Sequence, residues 1–130
     1  MIHLAPRIQE SLIQAGQQAY PLEACGFLLG ARQGQDLDIR ALIPGSAKSL
    51  NGYSLTAEEL WAAERKAFKA SLTVLGFYHS HPDGEAQPSE LDHAEALPGY
   101  LYAIIAIKGE EPPKIGFFQF DEATGSLTSL

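Results

Sequence analysis

The residues with the clearest chemical potential lie in one stretch, His79-Ser-His81-Pro-Asp-Gly-Glu-Ala-Gln-Pro-Ser89-Glu-Leu-Asp92. Side chains alternate along a strand, so His79 and His81 share one face and Ser80 takes the other. Two imidazoles so placed can share a metal ion. Asp92 falls in the first turn of a helix, where a carboxylate can fold back as a third ligand. Two histidines and one acid leave a tetrahedral zinc with a position open to water, which is the ligand count of a catalytic site. Plainer readings stand beside this one. Ser89-x-x-Asp92 is also a helix cap with an acid where the helix dipole favours it. A His-x-His pair can be two partly exposed imidazoles and nothing more.

The surrounding elements must bring these groups together. Apolar residues at helical spacing (Ile8, Leu12, Ala15, Ala19) predict a helix from Pro6, stopped by Pro21. Ala24 to Gly30 reads as a buried strand. Leu37 to Ile43 alternates well enough to be its partner across a turn at Gly34. Pro44 to Tyr53 reads as loop. Thr56 and Glu59 form a capping box that opens a helix to about Ala70, with Leu60, Trp61, Ala67 and Phe68 expected on its core stripe. Leu72 to His81 predicts a strand ended by the turn Pro82-Asp83-Gly84. Ser89 to Leu97 predicts a short helix, and Tyr100 to Ile107 a central strand buried on both faces. Ile115 to Phe120 adds another strand, and Leu127 to Leu130 an edge strand. The expected fold is mixed α/β (α+β), a central mixed sheet flanked by helices, in a single domain spanning residues 1–130.

Composition narrows the function classes. The chain has 130 residues, 45% hydrophobic and 19% charged, an ordinary globular make-up. Sixteen acids against nine bases give a formal charge of -7. Without a basic cluster, neither nucleic acid nor an anionic membrane is an expected partner. No apolar run is long enough for a membrane span, and the N-terminus does not read as a signal peptide. The lone cysteine, Cys25, fits a reducing, cytoplasmic setting. It sits in an apolar strand and reads as a small buried hydrophobe rather than a nucleophile. His93 is expected at the surface or behind the ligands, and Ser80 is expected to brace the site from the opposite face.

The spacing His-x-His-x7-Ser-x-x-Asp resembles the signature of the JAMM (MPN+, JAB-domain) zinc metalloproteases, minimal prokaryotic members included. Pro21-Leu-Glu23-Ala-Cys-Gly26-Phe-Leu-Leu-Gly30 is similar to the family's glutamate-bearing first strand, and Gly76-Phe-Tyr-His-Ser-His-Pro82 to its strand into the site. The resemblance implies a JAB/MPN-type, cytidine-deaminase-like fold. It implies that His79, His81 and Asp92 bind zinc, that Glu23 is the general base and that Ser89 supports the site. It further implies a hydrolase cutting peptide or isopeptide bonds after the C-terminal Gly-Gly of a ubiquitin-like sulfur-carrier protein. The tail is expected to lie extended along an exposed edge near Leu42 to Tyr53, with Asn51 and Tyr53 as contacts. The alternatives are a catalytically silent scaffold of the same fold and a DNA-repair-associated relative. A zinc deaminase is disfavoured, because its ligand set needs more than one cysteine.

Overall fold

The apolar patterning resolves into a sheet with a helix layer on each face. The computed structural model describes residues 1–46 and 55–130. In chain order the elements are β1 (Ile2–Leu4), α1 (Pro6–Ala19), β2 (Cys25–Gln33), β3 (Asp36–Pro44), α2 (Ala57–Lys69), β4 (Thr73–Pro82), α3 (Glu90–Glu95), β5 (Leu101–Ile107), β6 (Lys114–Asp121) and β7 (Ser126–Ser129). Among the described residues the strands form one seven-stranded sheet, ordered β1-β3-β2-β4-β5-β6-β7. β1 runs parallel to β3, and β4 parallel to β5. The remaining neighbours are antiparallel. The sheet is mixed, as the sequence predicts.

Strand alternation divides the core in two. Leu28, Leu75, Tyr78 and Ile105 pack with Ile8 and Leu12 of α1 on one face. Phe27, Leu29, Phe77 and Ile104 pack with Ala63 and Ala67 of α2 on the other. β5 lies between the two helix layers with all seven residues buried, so its sequence shows no alternation. Gly34, at φ +63°, supplies the left-handed turn of the β2–β3 hairpin. Among the described residues no helix is long and apolar enough to cross a membrane.

Three features depart from the sequence reading. β1 is too short to announce itself by alternation. α3 ends at Glu95 rather than Leu97, because Ala96 is already extended (φ -65°, ψ 140°) and Leu97 precedes a proline. Trp61 and Phe68 are not core residues: they are 63% and 84% exposed. The buried side of α2 consists of Ala63 and Ala67, whose small side chains let the helix lie close to the sheet. Trp61 and Phe68 each follow a stripe residue by one position, which turns them about 100° away from it. Trp61 instead stacks beneath the Arg65 guanidinium, 5.0 Å from the ring centroid.

The register of β4 rests on a close approach to β5. A Cβ at Gly76 would stand 1.7 Å from the backbone oxygen of Leu101. Gly76 pairs with Leu101 three residues before His79 pairs with Ile104. Gly76→Ala must push the two strands apart, and the expected loss is about 3 kcal/mol. A urea unfolding midpoint unchanged in this variant would contradict the packing described.

Candidate metal centre

β4 carries His79 and His81 to the end of the sheet on the α2 face. His79 is 1% exposed and His81 is half-buried. Their Nε2 atoms are 3.0 Å apart. Asp92 Oδ2 lies 3.1 Å from each of them. The three atoms form a nearly equilateral triangle of donors contributed by a strand and a helix.

The position of Asp92 follows from its own helix cap. Ser89 Oγ accepts from the Asp92 N–H at 3.0 Å, and Asp92 Oδ2 accepts from the Ser89 N–H at 2.9 Å. The oxygen that completes this cap is thus the same one that faces the two imidazoles, and the cap reading of Ser89-x-x-Asp92 is met. α3 has six residues and buries none of them. It is moored by polar bonds: the Leu127 N–H of β7 donates to His93 Nδ1 at 3.0 Å. Just past the helix, the Leu97 N–H donates to the Tyr102 hydroxyl at 2.8 Å. His93 thus holds the helix that bears Asp92.

Glu23 arrives from the other side, on the link between α1 and β2. Antiparallel pairing sets Cys25 opposite His79. One residue earlier, Ala24 is bonded twice to Ser80. The Ala24 N–H donates to Ser80 Oγ at 2.8 Å, and the Ser80 N–H donates to the Ala24 carbonyl at 3.0 Å. Ser80 points to the α1 face, where a Cβ on Gly16 would lie 3.4 Å from its own Cβ. One carboxylate oxygen of Glu23 and one ring nitrogen from each of His79 and His81 lie within 4.8 Å of one another. His81 Nδ1 contacts the Glu85 carbonyl at 2.9 Å. A carbonyl only accepts, so that nitrogen carries the proton, and whenever the ring is neutral its Nε2 presents a lone pair to the triangle.

Residues 5–121 match the family described as prokaryotic homologues of the JAB domain. The chain belongs to this family. A desampylase of Haloferax volcanii is 33% identical over 96 residues, covering 68% of this chain and 66% of that protein. The match thus spans just under two thirds of the relative. The solution structure of a Desulfitobacterium hafniense protein superposes with a TM-score of 0.89 at 28% identity, over 100% of this chain and 90% of the other. A Salinibacter ruber protein, also solved in solution, gives 0.78 at 31% identity, over 98% and 88%.

The JAB-family site is electrostatically divided. Burial raises the Glu23 carboxyl above its ordinary value, and the nearby Asp92 charge adds to this against the opposing pull of His81. Burial also opposes ionisation of Asp92, but the hydrogen bonds from His79 and His81 outweigh it and hold that carboxyl far below the usual range. Burial lowers His79. It acts the same way on His81, where Asp92, the Glu85 carbonyl and Glu23 reverse the balance and the net shift is upward. Two imidazole nitrogens and an ionised carboxylate oxygen, all within contact distance, suit a divalent cation.

All five predicted site residues, Glu23, His79, His81, Ser89 and Asp92, come together here. Cys25 is buried in β2. Asn51 and Tyr53, the predicted tail contacts, lie outside the described residues. The mooring role of His93 is not visible in sequence, because it depends on Leu127, 34 positions further along the chain; that of the Tyr102 hydroxyl, five positions from Leu97, carries no sequence pattern.

Ser80 is fully buried, and its hydroxyl accepts the buried Ala24 N–H. Ser80→Ala leaves that N–H without this acceptor, at an expected cost of about 1–3 kcal/mol. Chemical denaturation checks it; a variant as stable as the parent would show that the bond carries no weight.

Proposed function

We propose that this chain is a zinc-dependent metallopeptidase, acting on a peptide or isopeptide bond after the C-terminal Gly-Gly of a ubiquitin-like sulfur-carrier protein. The reading takes residues 1–130 as one catalytic domain working in a reducing cytoplasm. The observation that carries it is the meeting of His79 Nε2, His81 Nε2 and Asp92 Oδ2 at 3.0–3.1 Å, with Glu23 beside the same two imidazoles.

Those three atoms would hold the zinc, and two imidazoles with one carboxylate suit that metal. When bound, zinc supplies Lewis acidity and lowers the pKa of a water to about 7. Glu23 accepts the proton of the attacking water and returns it to the nitrogen of the leaving amine. Its raised affinity for protons suits both halves of that task. Ser89 Oγ already accepts from the Asp92 N–H, so its own proton is available to the developing oxyanion. One such donor is worth about 2.7–4 kcal/mol in a comparable site.

The surface around the site suits an extended tail. β1 covers only Leu37–Ile39 of β3. Ala41–Pro44 pairs with β2 on its inner side, and among the described residues no strand pairs with its outer edge. The Gly45 N–H then donates to the Cys25 carbonyl at 2.8 Å, which brings the end of this edge beside the link that bears Glu23. A groove of about 440 Å³, lined by Leu55, Leu60, Phe77, Leu97 and Tyr102 among others, opens on the same sheet face. Phe77 is two residues before His79, so the groove can seat an apolar side chain of the tail one strand step from the cut. That a relative 33% identical to this chain is a desampylase supports this substrate class.

The test is incubation of the zinc-loaded protein with Gly-Gly-tailed carriers bearing C-terminal or lysine-linked extensions, with products weighed by mass spectrometry. The wild type is expected to cut after the second glycine. Glu23→Gln is expected to keep its zinc and lose about 10²–10⁴-fold in rate, whereas Asp92→Ala is expected to lose both metal and activity. Undiminished cleavage by Glu23→Gln would remove the base assignment. An inert, zinc-loaded wild type across the carrier panel would favour the silent scaffold.

A further inference from the structure

The link that bears Glu23 is anchored at both ends to one short stretch of chain. On its C-terminal side, Ala24 is bonded twice to Ser80, the residue between the two histidines. On its N-terminal side, the Tyr20 hydroxyl donates to the Asp83 carboxylate, with its oxygens at 2.9 and 3.0 Å. Asp83 stands two residues after His81. Tyr20 is 63 positions away in sequence and 43% exposed, so hydrophobic burial alone does not explain where its ring lies.

Asp83 is itself held in an uncommon conformation. Its φ is +60°, in the left-handed region that aspartate tolerates better than most residues. Its N–H donates to the Ile107 carbonyl at the end of β5 at 2.7 Å, and the Gly84 N–H donates to the His81 carbonyl at 3.3 Å. The carboxylate that receives Tyr20 is therefore fixed to the sheet that carries the histidines. Two further bonds of the link, from the Tyr20 N–H to the Gly16 carbonyl and from the Leu22 N–H to the Ala19 carbonyl, run back to α1.

We propose that Tyr20 and Asp83 are a positioning pair that keeps Glu23 in register with the two histidines, a role that rests on Glu23 being the base. Neither residue touches the reacting atoms in this scheme. The bond is exposed, so its contribution to stability is small, whereas a base displaced by a fraction of an ångström costs heavily in rate. The signature is therefore a fall in kcat out of proportion to any change in stability, metal content or KM.

The experiment compares zinc-loaded wild type, Tyr20→Phe, Asp83→Asn and Glu23→Gln, and the double variant Tyr20→Phe/Glu23→Gln, on a carrier that the wild type cuts. Tyr20→Phe removes only the hydroxyl and is expected to lower kcat about tenfold, with KM within twofold and zinc content unchanged. Asp83→Asn keeps an acceptor oxygen and a tolerated backbone, and is expected to retain most of the activity. In the Glu23→Gln background, loss of the Tyr20 hydroxyl is expected to have no further effect, because the pair acts through Glu23. The proposal is overturned if Tyr20→Phe matches the wild type in kcat, if the change falls on KM alone, or if the double variant shows the full product of the two single losses. Failure of the underlying reading looks different: Glu23→Gln would then cleave as fast as the wild type.

Discussion

The antiparallel pairing of β2 with β4 is the constraint on which the site depends. It sets Cys25 opposite His79, so an acid two residues before Cys25 reaches imidazoles that are 56 and 58 positions away in sequence. The ladder does not stop at its last regular pair. Ser80 continues it through its backbone N–H and its hydroxyl, both directed at Ala24. A strand residue whose side chain faces away from the histidines thus governs how near Glu23 comes to them. The close passage of Gly76 along Leu101 fixes β4 from its other edge.

Asp92 is placed by a different kind of force. No apolar residue of α3 is buried, so the hydrophobic effect does not hold this helix to the sheet. One carboxylate oxygen accepts the Ser89 N–H and faces both histidines, and His93 and the Tyr102 hydroxyl secure the segment from behind. The core supplies the strands, and short-range polar bonding supplies the third donor.

Much of this was legible in the sequence because it is local. Alternation placed His79 and His81 on one face, and the cap pattern placed Asp92 in a first turn. The continuous apolar run of Leu101–Ile107 marked the central strand. What the sequence concealed depends on distance or on degree. A three-residue β1 carries too little pattern to be seen. Trp61 and Phe68 have the spacing of core residues, but the alanines beside them set which face approaches the sheet, and small residues give a weak signal. The Tyr20–Asp83 contact joins two residues 63 apart, and neither has a neighbour that reveals the other. Glu23 could be singled out only through the family resemblance, since an isolated acid after a proline has no periodicity to read.

The lack of a buried apolar residue on α3 links the order of that helix to the occupancy of the site. A ligand that engages Asp92 only when the turn is formed shifts the turn's own folding equilibrium by the free energy of binding. The six-residue helix can then serve as a local reporter, with backbone amides that exchange quickly in the empty protein and slowly once a cation is captured, while the sheet beneath exchanges at its own rate throughout.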